Sequence, residues 1–142
     1  MKRTLYNQLL QWKGNNDRKP LILNGARQVG KTYLLQEFGR NEYEKVAFFS
    51  LDRNPMAATV FEQGGSVADI LLSLSAISNV DITPGNTLVV LDEVQDCPKA
   101  LETLKYFCED APEYHVVVAG SLLGFSLHDG VSYPVGKVEE LR

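Results

Sequence analysis

One stretch restricts the fold more than any other: Leu21-Ile22-Leu23-Asn24-Gly25-Ala26-Arg27-Gln28-Val29-Gly30-Lys31-Thr32-Tyr33. Residues 25–32 fit G-x-x-x-x-G-K-[ST], the pattern of a phosphate-binding loop. Such a loop belongs between a buried strand and the start of a helix, and both flanks agree. Leu21, Ile22 and Leu23 form a short apolar run, as in a strand covered on both faces. Leu34, Leu35 and Phe38 then recur at helical spacing, and Gly39 reads as the helix stop. A glycine-punctuated turn matching the pattern by chance would not account for both flanks.

The residue types suit a ligand with several negative charges in a small volume. Successive backbone N–H groups in a tight loop can surround such a group. Gly25 and Gly30 would permit backbone angles and close approaches that a Cβ would hinder. The helix begins near Gly30, so its unpaired N–H groups and positive dipole end face the phosphates. Lys31 can set an ammonium against the β- and γ-phosphates, and the Thr32 hydroxyl can ligate Mg²⁺. Residues 25–33 are therefore the expected nucleotide contacts. Arg27 is open between the phosphates and a structural or partner role.

With 142 residues, one domain is expected. A chain of this size buries about 70% of its unfolded surface, enough for a real core. The net charge of −4 argues against a strongly electrostatic nucleic-acid binder. Cys97 and Cys108 fit neither a disulfide framework nor a zinc site, which suits reduced thiols in the cytoplasm. Residues 1–12 lack the pattern of a secretory signal, and no apolar run reaches the ~18–20 residues of a membrane span.

Leu5, Leu9 and Trp12 mark a first amphipathic helix over residues 4–12, expected on the edge of the sheet or on a partner. A second strand covers residues 46–51. Asn54 caps a short helix with Pro55 at its first position, and Ser66 caps the next, striped by Val67, Ile70, Leu71, Leu74 and Ile77. A third strand starts at Thr87 and ends in Asp92 and Glu93. A helix follows with Leu101, Leu104, Phe107 and Cys108 on its buried face, then a fourth strand over residues 115–121. Residues 122–134 read as loop, and residues 137–142 as the start of a fifth strand. Strands alternating with helices imply a parallel α/β sheet with ligands at the carboxyl ends of its strands.

Those ends gather the remaining candidates. Four apolar residues followed by Asp92 fit a strand whose terminal acid holds Mg²⁺ through its water shell. Glu93 can position or activate the attacking water; a solvated acidic turn before a helix is the bland alternative. Ser121 stands where a polar side chain could touch the γ-phosphate or the water, or cap a turn. Arg53 and Asp52 suit a surface ion pair. His115 and His128 show no ligand spacing.

An extra strand between the loop strand and the Asp92-Glu93 strand is the arrangement of P-loop ATPases with a catalytic glutamate. Residues 25–32, Leu91-Asp92-Glu93-Val94-Gln95, Ala119-Gly120-Ser121-Leu122-Leu123 and the tail from 126 to 138 together resemble prokaryotic AAA-type ATP-binding proteins that carry a C-terminal domain of unknown function. The resemblance implies a three-layer fold with sheet order 5-1-4-3-2. It also implies ATP and Mg²⁺ as ligands, with Lys31 and Glu93 catalytic. Members of that family continue past the position of Arg142, so the ATPase domain over residues 1–142 is expected to lack its lid and part of its last strand.

The leading reading is an ATP-hydrolysing module of a larger protein, with self-association or a protein partner and no membrane. The alternative is a non-hydrolysing regulatory or interaction module. A small-molecule kinase would need an acceptor pocket and an arginine-bearing lid. The guanine motif of a GTPase and the Leu-Ser-Gly-Gly signature of an ABC ATPase are both missing.

Overall fold

The computed structural model describes residues 2–24, 29–121 and 138–141. The readings for Gly25, Ala26, Arg27 and Gln28, for the loop over residues 122–134 with His128, and for the tail to residue 137 lie outside the described residues. The elements are α1 (Lys2–Gly14), β1 (Leu21–Asn24), α2 (Val29–Glu42), β2 (Lys45–Ser50), α3 (Pro55–Gln63), α4 (Val67–Ser78), β3 (Thr87–Asp92), a 3₁₀ turn (Val94–Asp96), α5 (Pro98–Asp110), β4 (His115–Gly120) and β5 (Glu139–Leu141).

The strands lie in the order β2-β3-β4-β1-β5, and every pairing is parallel. Read from the other edge this is 5-1-4-3-2, the order the resemblance implied. Side chains alternate between the two faces, as strand geometry requires. Ile22, Ala47, Phe49, Val89, Leu91, Val116 and Val118 pack with α3, α4 and α5. Leu21, Leu23, Leu88, Val90, Val117 and Ala119 pack with α1 and α2. β3 is buried at all six positions, so neither face meets solvent and the run reads as continuously apolar. Each fully buried Val, Leu or Ile contributes about 1.5–3 kcal/mol.

The helix caps follow the local chemistry. The Asn54 side chain accepts from the Ala57 amide, and Ser66 Oγ accepts from the Asp69 amide. Three local expectations need correction. α2 does not stop at Gly39 but continues to Glu42. A Cβ at Gly39 would lie 2.5 Å from Val46 Cγ2, so the glycine lets the helix descend onto β2. α1 covers a face of the sheet rather than its edge, because Leu9 and Trp12 enter the same core as Leu21, Leu88 and Val117. On α5 the buried row is Ala100, Leu101, Thr103, Leu104 and Phe107, with Cys108 only partly covered; the fully buried thiol is Cys97.

Register decides which ends coincide. Ser50 pairs with Asp92, Leu91 with Val118, and Asn24 with Gly120. The carboxyl ends of β2, β3, β4 and β1 therefore form one edge of the molecule.

Candidate functional site at the carboxyl edge

The first turn of α2 stands at this edge and carries Lys31 and Thr32. Thr32 Oγ1 donates to Asp92 Oδ2 at 3.0 Å, across 60 residues of sequence. The Lys31 ammonium donates to the Asn24 carbonyl at 3.3 Å, folding back over the end of β1. Gly30 has no left-handed backbone angle, so the special-angle reason expected for it does not hold. A Cβ there would meet no described protein atom within 4 Å. Among the described residues, none therefore crowds the helix N-terminus at Gly30. Tyr33 lies next on α2, half exposed.

Asp92 ends β3 and is buried, 9% exposed. Its Oδ1 accepts from the Glu93 amide at 2.9 Å. Burial raises its pKa; the hydrogen bonds from Thr32 and the Glu93 amide oppose the rise, and the charges of Glu93 and Asp52 add to it. Among the described residues, the charges acting on this carboxylate are both negative. With the Thr32 hydroxyl it offers two hard oxygen donors, the chemistry a small divalent cation takes. Among the described residues no group of three or more His, Cys, Asp or Glu could hold a metal alone. A hydroxyl with a single carboxylate instead suits Mg²⁺, which keeps waters and completes its shell with substrate phosphates.

Immediately after β3 the backbone turns sharply. Glu93 takes the left-handed conformation, φ 53° and ψ 47°, which costs a non-glycine residue about 1–3 kcal/mol. Main-chain bonds hold the turn: the Asp96 amide donates to the Glu93 carbonyl and the Cys97 amide to the Val94 carbonyl. Val94 is fully buried beneath it. The Glu93 side chain is held by Gln95, whose Nε2 donates to Glu93 Oε1 at 2.7 Å. Gln95 Oε1 in turn accepts from the Ser121 amide at 3.2 Å. Ser121, just past β4, thus joins this cluster through its backbone. The reading of residues 87–93 as strand ends one residue earlier, because the turn starts at Glu93.

The edge therefore brings together Lys31, Thr32, Asp92, Glu93 and Ser121. Sequence reasoning gave no role to Gln95 or Asn24. For Gln95 the signal was a polar side chain two residues past the acidic pair, inside a tight turn. The Asn24 carbonyl is a main-chain group and leaves no residue-type signal. Asp52 accepts from Ser50 Oγ and pairs with the exposed Arg53 at 3.9 Å, the ion pair the sequence suggested.

His115 lies at the opposite end of the sheet. Its Nδ1 is hydrogen-bonded to the Tyr43 hydroxyl, and its ring meets Tyr43 and Trp12 edge-on at 5.2 and 5.7 Å. Burial brings its pKa down to about 4, and the charges of Arg18 and Lys13 act the same way. It is a core group.

Residues 17–142 match the family model described as AAA domain. The chain belongs to the AAA domain family. It is a nucleotide-binding module of that family. Two solved structures are similar in fold. One is the Aeropyrum pernix ORC1 protein, described in complex with DNA, at 19% identity and TM-score 0.53, covering 99% of this chain and 44% of that one. The other is C. elegans PCH-2, at 15% identity and TM-score 0.52, covering 99% of this chain and 42% of that one. The chain thus spans less than half the length of either. No curated protein matches it. No helix among the described residues is long and apolar enough to cross a membrane.

Proposed function

We propose that this chain binds ATP with Mg²⁺ at the carboxyl edge of its sheet and hydrolyses the γ-phosphate, as one module of a larger cytoplasmic ATPase. The observation that carries the reading is the meeting of Thr32 and Asp92 at 3.0 Å, one on the first turn of α2 and one at the end of β3. Loop residues 25–30 and Tyr33 would contact the nucleotide, with phosphate against the amides at the start of α2, where no described residue lies within 4 Å of a Cβ at Gly30. Lys31 would exchange the Asn24 carbonyl for phosphate oxygens. Thr32 would hold the metal directly and Asp92 through water. Bound Mg²⁺ would supply neutralisation of charge on the phosphate oxygens. Glu93 would orient and deprotonate the attacking water, and Ser121 would contact the γ-phosphate. Self-association or a protein partner would complete the module. DNA binding belongs to the ORC1 structure, and the charge of −4 lends it no support here.

The reading is tested by steady-state phosphate release with ATP and Mg²⁺ in the intact protein. A general base typically contributes ~10²–10⁴ in rate, so Glu93→Gln should lower turnover on that order with ATP affinity retained. Equal phosphate release by the wild type and Glu93→Gln would reject hydrolysis and leave the regulatory, non-hydrolysing module.

A further inference from the structure

The Gln95 side chain bridges the ends of β3 and β4 in this cluster. Its amide has a fixed polarity. Nε2 donates to the Glu93 carboxylate at 2.7 Å and Oε1 accepts from the Ser121 amide at 3.2 Å. Turning the amide over would set oxygen against carboxylate and NH₂ against N–H, losing both bonds. The bridge passes close to the backbone at the end of β4. A Cβ at residue 120 would lie 2.3 Å from Gln95 Oε1 and 3.0 Å from the Val94 amide nitrogen, so glycine at 120 is what admits the amide. Beneath it the backbone of Glu93 is already committed to a left-handed turn. That turn sets where the glutamate side chain starts, and Gln95 holds one oxygen of its carboxylate.

We propose that Gln95 is a positioning residue for Glu93: it ties the glutamate carboxylate to the end of β4, so that hydrolysis depends on Gln95 while nucleotide binding does not. This rests on the reading of Glu93 as the group that acts on water. Gln95 donates a charge-assisted hydrogen bond to a carboxylate that must keep one orientation toward its water, and an error of that orientation costs rate rather than affinity. It also links Glu93 to Ser121, so a ligand contact at the end of β4 has a route of two hydrogen bonds to the glutamate.

Two substitutions separate positioning from mere support of the turn. Gln95→Met keeps the length and loses both bonds. Gln95→Glu keeps the acceptor for the Ser121 amide but sets a second carboxylate against Glu93. In the intact protein both should lower kcat about 10- to 100-fold, less than the full ~10²–10⁴ a general base supplies, with KM changed less than about threefold. Amide hydrogen exchange at Ser121, without nucleotide, should speed up in Gln95→Met and stay at the wild-type rate in Gln95→Glu. A Gln95→Glu protein with wild-type kcat would overturn the proposal, since the link to β4 alone would then suffice. So would a rise in kcat, which would make the bridge a restraint, or a loss carried by KM. Glu93→Gln in the same assay separates the two levels. If it abolishes turnover while the Gln95 variants do not change it, only the positioning role fails; if it changes nothing, the hydrolytic reading fails and the positioning role with it.

Discussion

At the carboxyl edge of the sheet Asp92 is buried beside the charges of Glu93 and Asp52; at the amino edge His115 is buried among Trp12 and Tyr43. Both groups belong to central strands, and burial drives both toward their neutral forms. The surroundings differ. His115 reaches that form near neutral pH and has a hydroxyl partner in Tyr43. The Trp12 indole is satisfied as well, donating to the Lys19 carbonyl at 2.7 Å. Asp92 is an acid next to acids, and its hydrogen bonds from Thr32 and the Glu93 amide only partly offset burial. At the amino edge the aromatic groups are satisfied, while Arg18 Nε beside them is buried with no hydrogen-bond partner among the described residues. The carboxyl edge holds negative charge that a cation would relieve, and strained backbone at Glu93 stands beside it. Both edges carry a cost, a buried guanidinium nitrogen at the first and strained backbone among acids at the second, and only the second gathers the motif residues.

That contrast can be broken most forcefully at the amino edge. Trp12 is 3% exposed and joins α1 to the sheet. Trp12→Ala should cost about 3–5 kcal/mol in denaturant unfolding, with the ATP dissociation constant unchanged. A parallel loss of ATP affinity would show that the two edges are coupled.

The next effect belongs to the carboxyl edge. ATP at ~100 times its dissociation constant should stabilise the wild type by ~2.7 kcal/mol, read as a thermal shift. Lys31→Ala should remove that shift and leave the ligand-free melting temperature in place, because the ammonium's described bond is a single 3.3 Å contact to the Asn24 carbonyl. A retained shift would take Lys31 out of the phosphate site.

Asp92→Asn sharpens the comparison further. The folded state raises the pKa of Asp92, so its charge works against folding at neutral pH. Removing the charge should leave the ligand-free protein as stable, or more stable by less than about 1 kcal/mol, while abolishing the Mg²⁺-dependent part of the ATP shift. Clear destabilisation of the ligand-free protein would mean that Asp92 is structural.

A further effect, confined to acid conditions, is a pH slope of opposite sign. With the folded pKa of His115 lowered from 6.5 to about 4, the unfolded chain takes up the proton first as pH falls. Stability due to His115 is full above pH 6.5 and should decline between 6.5 and about 4. Asp92, with its pKa raised, pushes the other way as it takes up a proton in the folded state. His115→Gln should flatten the decline in urea titrations across that window. An unchanged slope would mean that His115 is not the group responsible.

Much of the site could be read residue by residue. Lys31 and Thr32 follow from a motif whose spacing is dictated by phosphate chemistry, and Asp92 from an apolar strand that ends in an acid. Gln95 could not be read this way, since a glutamine in a turn is ordinary until a serine amide 26 positions later is set against it. Gly39 was misread for a similar reason: helix-ending glycines and helix-packing glycines look alike until the Val46 side chain is placed beneath them. α1 was expected on an edge because its stripe tells that it buries a face, not what it buries that face against.

Local chemistry in the sequence was sufficient for the alternation of strands and helices, the caps at Asn54 and Ser66, the burial of β3 and the phosphate-binding pattern. Each depends on residues within a few positions of one another, where backbone preference and side-chain period act directly. Local chemistry did not decide lateral neighbours; the family resemblance implied their order, and the tertiary structure sets their register. The period of a strand says which face a side chain takes but not which strand lies beside it, and the order β2-β3-β4-β1-β5 is what sets β4 between the Asp92 strand and the loop strand. The register of that sheet brings Thr32 to Asp92 and Gln95 to Ser121. These distances are the sum of many packing contacts on both faces, so no short window of sequence contains them.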